Sequence, residues 1–286
     1  MHFLQIVWDP AAEGIKITDS FTIHYYSIMW ILSFVIGYVL MKKIYKRENE
    51  TQEKLDALFI YSVIGILLGA RLGETFFYSW DYFKDHLIEI LLPIREDPNG
   101  SILGIKGYKF YGFRGLASHG AAVGMIISMY LYNRKHLKRS MLWILDRVVV
   151  PVAIGAIFVR IGNFFNSEMV GKVTDSPFGM VFKQLDDQVR HPGQLYEAFG
   201  YIFVFLALWY VYWKTNKREK TGYLFGLFLV MLFSIRLFVE QFKIAQVDGR
   251  EDWILGMNTG QVLSIPFILI GLYFMFIYKG KSSTTA

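Results

Sequence analysis

The chain has 286 residues, of which 54% are hydrophobic and 19% are charged, and its formal net charge is +6. This balance argues against a water-soluble globular domain and is ordinary for a protein in a lipid bilayer. Because the sequence contains no cysteine, it excludes disulfides, thiolate metal sites and a cysteine nucleophile.

Apolar stretches long enough to cross a bilayer recur along the whole chain. A spanning helix needs roughly 20 mainly apolar residues, because the hydrocarbon core is about 30 Å thick. With no visible repeat or linker, the sequence predicts an all-α, polytopic membrane protein with seven transmembrane helices in a single domain, 1–286. The predicted spans lie near 21–41, 57–79, 113–133, 142–165, 194–213, 222–242 and 260–278.

Lysine and arginine are concentrated in alternate connecting segments, most densely in "NRKHLKR" and "KTNKREK". The positive-inside rule then predicts an N-terminus outside and a C-terminus in the cytoplasm. Two longer segments, near 80–112 and 166–193, fall on the outer face. Because the positive charge lies mostly in short loops that face anionic lipid, it requires no nucleic acid as a partner.

Four polar clusters interrupt the predicted spans. In "GLASHGAAVG", His119 stands among small residues, where it could act as a base near pH 7 or simply pack through a hydrogen bond. In "RIGNFFNSEMVG", Arg160 and Asn163 share one helix face, while Glu168 falls past the helix end. The Arg160 guanidinium suits a phosphate or carboxylate, but it could also snorkel and pair with Glu168.

The remaining two clusters lie in the fifth and sixth spans. "RHPGQLYEA" has Gln194 and Glu197 at helical spacing, which is typical of a segment that caps and anchors a helix. In "SIRLFVEQF", Arg236 and Glu240 are four residues apart and could form an ion pair within one helix. Such charges are costly at membrane depth unless a polar cavity adjoins them, so they indicate a functional site.

These segments, in this order together with "GQVLSIP", resemble the prolipoprotein diacylglyceryl transferase family. The resemblance runs from "HYYSIMW" in the first span to the last span. One departure is visible, because the family's His-Gly-Gly is here His119-Gly120-Ala121.

The resemblance implies seven spans in the bacterial plasma (inner) membrane and a site that opens towards the outer leaflet. It implies transfer of the diacylglyceryl group of phosphatidylglycerol to the lipobox cysteine of a preprolipoprotein, with release of glycerol 1-phosphate. Membrane lipids are therefore partners, and neither a metal nor a cofactor beyond the lipid donor is expected. Carried over by motif, the catalytic residues are His119, Arg160, Arg236 and Glu240, and the substrate-binding residues are Tyr26, Arg160, Asn163, Glu168, Gly171 and Arg236.

Within this hypothesis Arg160 and Arg236 clamp the phosphate, and His119 takes or orients the thiol proton. Asn163, Glu168 and Glu240 set the arginine geometry, and Tyr26 lines the lipid entrance. The alternative is a lipid or solute transporter whose path uses the intramembrane Arg and Glu residues, although such proteins commonly carry inverted repeats. A structural scaffold with paired charges is a third interpretation.

Overall fold

The computed structural model describes residues 6–10, 14–18, 21–102, 104–112, 117–244 and 254–279. The helices in chain order are α1 (Tyr25–Arg47), α2 (Gln52–Phe77), α3 (Trp80–Phe83), α4 (Ile88–Leu91), α5 (Ser118–Tyr132), α6 (Met141–Phe165), α7 (Gly193–Lys214), α8 (Tyr223–Val239) and α9 (Thr259–Leu272). The strands are β1 (Ile6–Trp8), β2 (Gly14–Thr18), β3 (Phe21–His24), β4 (Ile94–Ile102), β5 (Ile105–Phe110), β6 (Met180–Phe182) and β7 (Val189–Arg190).

Six helices among the described residues are long and apolar enough to cross a membrane. They are α1, α2, α6, α7, α8 with its 3-10 turn to Phe242, and α9 with its π-helical turn to Ile277. This confirms a mostly helical, multi-pass membrane protein.

The seventh predicted span, near 113–133, corresponds to α5. This helix has 15 residues and continues into a π-helical turn, Asn133–Leu137. Residues 113–116 of the predicted span lie outside the described residues. The seventh span and the orientation of the termini therefore stay predictions.

The chain divides into two compact units, residues 45–144 and residues 1–44 with 145–286. In the unit of residues 45–144, α2 and α5 approach each other through glycines. A Cβ atom on Gly69 would lie 2.4 Å from the carbonyl oxygen of Gly120, and one on Gly124 would lie 2.1 Å from that of Gly65. The small residues around His119 thus let two helix backbones touch, as small residues do in membrane proteins.

In the other unit, α6 and the strands β1 and β6 enclose a small apolar core. Phe164, Val170, Met180 and Phe182 pack together, and Trp8 lies against them. β6 pairs with β1 in parallel and with β7 antiparallel. The indole Nε1 of Trp8 donates a hydrogen bond to the Phe164 carbonyl at 3.1 Å. This core fixes the segment that leaves the C-terminal end of α6.

The start of α8 is fixed from α6. The buried Asp146 carboxylate accepts hydrogen bonds from the backbone N–H groups of Gly222 at 2.6 Å and Phe225 at 2.8 Å. An anionic acceptor at a helix N-terminus satisfies unpaired N–H groups and complements the helix dipole. This contact sets the register of α8 relative to α6. Each of these two helices contributes one arginine to the polar site described below.

Candidate functional site

The segment that follows α6 turns sharply through two residues with left-handed backbone. Ser167 has φ 52° and Met169 has φ 59°, on either side of Glu168. Neither residue is glycine, so the conformation is strained, and strain of this kind clusters at functional sites. The turn is held by hydrogen bonds from Glu168 N to the Asn163 carbonyl at 3.1 Å and from the buried Gln194 amide to the Glu168 carbonyl.

Arg160, Asn163 and Glu168 form a connected polar row at this end of α6. Arg160 Nη1 donates to Asn163 Oδ1 at 3.2 Å, and Asn163 Nδ2 donates to Glu168 Oε1 at 2.7 Å. Asn166 adds a second donor to the same carboxylate oxygen, at 3.3 Å. The structure thus brings these residues together, and Glu168 binds the side-chain amides of Asn163 and Asn166.

The ion-pair partner of Arg160 is Glu197, on α7. Arg160 Nε lies 2.9 Å from Glu197 Oε2, and the Glu197 side chain is completely buried. Neither Glu197 oxygen accepts a geometrically good hydrogen bond from the described residues, so charge attraction is the main contact. Tyr201, one turn further along α7, interacts with both Arg160 and Arg236.

Arg236 and Glu240 meet at the C-terminal end of α8. Arg236 Nε lies 3.7 Å from Glu240 Oε1, which is a loose ion pair. The same oxygen accepts a hydrogen bond from Lys243 Nζ at 2.9 Å. Lys243 Nζ is also 3.8 Å from Glu197 Oε1, so this lysine joins the two carboxylates.

The N-terminal end of α9 encloses the Glu240 side chain. A capping box between Asn258 and Gln261 starts the helix. Asn258 Nδ2 donates to the Glu240 carbonyl at 3.0 Å, and a Cβ atom on Gly260 would lie 2.5 Å from Glu240 Cδ. The carboxylate is thus held against the positive end of a helix dipole.

Tyr26 and Gly171 border this network. The Tyr26 ring covers Gly162, where a Cβ atom would lie 2.6 Å from Cδ2 of the ring, and Tyr26 interacts with Arg160, Asn163 and Glu168. Gly171 lies where three backbone segments meet, since a Cβ atom there would be 2.6 Å from the carbonyl oxygens of both His191 and Phe242.

His191 joins two of these segments just before α7. Its carbonyl accepts a hydrogen bond from Gly171 N at 2.8 Å, and its Nδ1 lies 3.1 Å from the Tyr196 hydroxyl. Loss of solvent around the ring lowers the pKa of His191 below its usual 6.5, which favours the neutral form at pH 7. A neutral ring adds no charge to this network.

His119 lies in the unit of residues 45–144, exposed on the first turn of α5. Its neighbour Gly120 packs against α2, and Ala121 is half-buried. The alanine that departs from the family pattern is therefore accommodated on α5 without replacing the glycine at the helix contact. A role for His119 in proton transfer stays a prediction.

The sequence-predicted residues of the larger unit come together at one end of a group of helices. Arg160, Asn163, Arg236 and Glu240 lie at the ends of α6 and α8, and Tyr26 lies in the first turn of α1. Sequence reasoning missed Glu197, which it assigned to anchoring the helix, and also Tyr201, Lys243 and Asn258. Lys243 is three residues after Glu240 and seven after Arg236, a spacing that could have placed it on their face.

The two arginines combine anchoring with partial access. Their side chains are 17% and 30% exposed, whereas Glu197 and Glu240 behind them are 0% and 3% exposed. A guanidinium that is fixed on one side by a buried carboxylate keeps other N–H donors for an anionic group. The arrangement can bind a phosphate and stabilise charge that develops on it.

A family model described as prolipoprotein diacylglyceryl transferase matches residues 13–277. The chain belongs to this family. It is 41% identical over 280 residues to the phosphatidylglycerol–prolipoprotein diacylglyceryl transferase of Bacteroides fragilis, and the aligned region covers 98% of each chain. A protein with the same name from Tolumonas auensis is 38% identical, over 89% of this chain and 91% of its own length. Another, from Chloroherpeton thalassium, is 36% identical, over 95% of this chain and 93% of its own length. Membership of a transferase family does not favour the transporter alternative.

Proposed function

We propose that this chain transfers the diacylglyceryl group of phosphatidylglycerol to the lipobox cysteine thiol of a prolipoprotein. The relatives are named for diacylglyceryl transfer from phosphatidylglycerol to a prolipoprotein. The observation that supports it most directly is the pair of partly open arginines, Arg160 and Arg236, backed by the buried carboxylates of Glu197 and Glu240. A phosphodiester headgroup matches both the charge and the donor geometry of such a pair.

The reaction is a displacement at the glyceryl carbon that bears the phosphate. The cysteine sulfur forms a C–S bond, the C–O bond to phosphate breaks, and glycerol 1-phosphate leaves with the bonding electrons. Arg160 and Arg236 stabilise the negative charge that grows on the departing phosphate. Asn163 and Glu168 hold Arg160 in place, Glu240 holds Arg236, and Tyr26 and Gly171 border the lipid site.

The thiol must lose its proton to become an effective nucleophile, since a free cysteine has a pKa near 8.5. His119 is assigned to accept or orient this proton. Histidine is the side chain that most often serves as a general base in enzymes.

We also propose that the protein is a single seven-span domain of the bacterial plasma membrane, with its N-terminus outside and its site open towards the outer leaflet. The ends of α6 and α8 and the starts of α7 and α9 contribute the polar network. The positive-inside rule assigns all four of these helix ends to the outer face. A donor that is itself a membrane lipid could then reach the arginines laterally.

Substitution Arg160→Lys tests the proposed clamp, because it keeps the charge but loses the two-pronged donor geometry. We expect at least a tenfold loss of transfer, about the effect of one lost charged hydrogen bond. Purified protein in detergent would be assayed with phosphatidylglycerol and a lipobox peptide, following glycerol phosphate release and the peptide mass. Arg218→Lys, the same change in a connecting segment, is the matched control, and full activity of Arg160→Lys would contradict the clamp.

His119→Gln tests the assignment of the base. We expect the loss of activity to be largest below neutral pH, where thiolate is scarce, and to diminish in alkali. The pH profile of peptide modification measures this, beside His136→Gln at the other end of the same helical segment. A loss that is equal at every pH would make His119 a positioning residue.

A further inference from the structure

Lys243 is a buried cation that the proposed phosphate clamp does not use. Its whole residue is 1% exposed, and its Nζ lies 2.9 Å from Glu240 Oε1 and 3.8 Å from Glu197 Oε1. The aliphatic stem crosses the start of α7, where a Cβ atom on Gly193 would lie 3.0 Å from Lys243 Cγ. An ammonium group this deeply enclosed does not reach a bound ligand.

The backbone around Lys243 fixes its position independently of its charge. Lys243 forms a β-bridge with Gly171, and the carbonyl of Phe242 accepts a hydrogen bond from Lys172 N at 2.7 Å. The lysine is therefore tied to the segment that follows α6, while its side chain extends to carboxylates on α7 and at the end of α8. It is the one described residue that contacts both carboxylates as a cation.

The net charge of these five side chains bears on what the arginines can bind. Arg160, Arg236 and Lys243 carry three positive charges, and Glu197 and Glu240 carry two negative charges. Without the lysine, the two carboxylates would neutralise the two arginines, and an added phosphodiester would leave a net negative charge in a poorly solvated place. Buried charges without compensation are strongly unfavourable.

We propose that Lys243 is a positioning residue that neutralises part of the Glu197 and Glu240 charge, so that Arg160 and Arg236 retain one net positive charge for an anionic phospholipid headgroup. This inference rests on the proposed function, because it takes the arginine pair as the phosphate site. Glu168 stays outside the balance, since it is partly exposed and bound to the amides of Asn163 and Asn166.

The test compares Lys243→Met, which keeps the length of the side chain without its charge, with Lys243→Arg, which keeps the positive charge. Glu197 and Glu240 stay unaltered in both variants, so the carboxylates that hold the two arginines are the same. Lys172→Met is the matched control, because Lys172 is exposed and lies one residue after Gly171. For each protein the KM for phosphatidylglycerol, the kcat and the thermal midpoint in detergent would be measured.

We expect Lys243→Met to raise the KM for phosphatidylglycerol about tenfold or more, the effect of a lost charged interaction. Lys243→Arg should keep a KM close to that of the unaltered protein, and Lys172→Met should leave the KM unchanged. A role in folding alone would lower the thermal midpoint without moving the KM. If Lys243→Met does not fold, Lys243→Gln, which is also neutral but can still donate a hydrogen bond to Glu240, takes its place.

An unchanged KM in folded Lys243→Met, or a folded Lys243→Arg whose KM is raised tenfold like that of Lys243→Met, would overturn the proposal. Failure of the proposed function looks different, because the unaltered protein would then transfer no lipid to the peptide. In that case Arg160→Lys and Lys243→Met would be no less active than the unaltered protein, which would itself be inactive.

Discussion

At the scale of single residues, two glycines make room for the polar side chains of the site. Glu240 can lie against the start of α9 because residue 260 has no side chain, and Tyr26 can lie over α6 because residue 162 has none. The sequence motifs pointed to Arg160, Arg236 and Glu240. They did not point to Lys243, because a lysine just after an apolar run looks like an ordinary flanking charge until the fold buries it.

Gly260→Ala should displace the Glu240 carboxylate, since the new methyl group would lie 2.5 Å from Cδ. Overpacking of this kind typically costs about 1–3 kcal/mol, so we expect a lower thermal midpoint and weaker transfer. Thermal unfolding in detergent and the transfer assay measure the two effects.

Gly155→Ala on α6 is the control for this substitution. A Cβ atom there would meet its nearest neighbour, Ser33 Cβ, at 3.8 Å, which is ordinary contact. Alanine also has the higher helix propensity. Equal behaviour of Gly260→Ala and Gly155→Ala would show that the enclosure of Glu240 does not matter.

At the scale of elements, hydropathy predicted helices well and the strands not at all. The span predicted near 142–165 is Met141–Phe165, and that near 194–213 is Gly193–Lys214. A long apolar run has few alternatives to a helix in lipid, because each backbone polar group must be satisfied within it. β1 pairs in parallel with β6, far along the chain, and these two strands of three residues each are too short to show a period.

Gly124→Ala should separate α2 from α5, because the methyl group would lie 2.1 Å from the Gly65 carbonyl oxygen and 2.7 Å from Gly69 Cα. Neither contact can be relieved by a side-chain rotation, since both involve backbone. We expect a loss of about 1–3 kcal/mol in stability, measured as a lower midpoint of thermal unfolding.

The matched change for this contact is Gly37→Ala on α1. There the nearest atom, Pro151 Cβ, would be 3.4 Å away, so the alanine should be tolerated. A Gly124→Ala protein as stable as the Gly37→Ala protein would mean that α2 and α5 do not need their close approach.

At the scale of the whole molecule, the family and the helical membrane character follow from the sequence, whereas the topology remains to be measured. The absence of cysteine makes the chain suited to single-cysteine labelling. Two pairs of exposed residues suit this labelling. Asn99 precedes α5 in the chain and Lys135 follows it, and Gln184 precedes α7 and Lys217 follows it. Charge bias assigns the first of each pair to the outside and the second to the cytoplasm.

A membrane-impermeant maleimide should therefore label Asn99→Cys and Gln184→Cys in intact spheroplasts. Lys135→Cys and Lys217→Cys should react only after permeabilisation. Labelling of Asn99→Cys and Lys135→Cys from the same side would show that α5 does not span the membrane. Reversal of both pairs would overturn the proposed orientation.

The contribution of α6, α7, α8 and α9 to one polar network has a consequence for biosynthesis. The ribosome completes Arg160 before Glu197 exists, and it completes Glu197 before Lys243. A nascent chain therefore carries, in turn, an arginine without its acid and an acid without its lysine. Unpaired charges are unfavourable in hydrocarbon, so pairing favours the packing of each newly made helix against those already inserted. The polar network is complete only when α9 has been made.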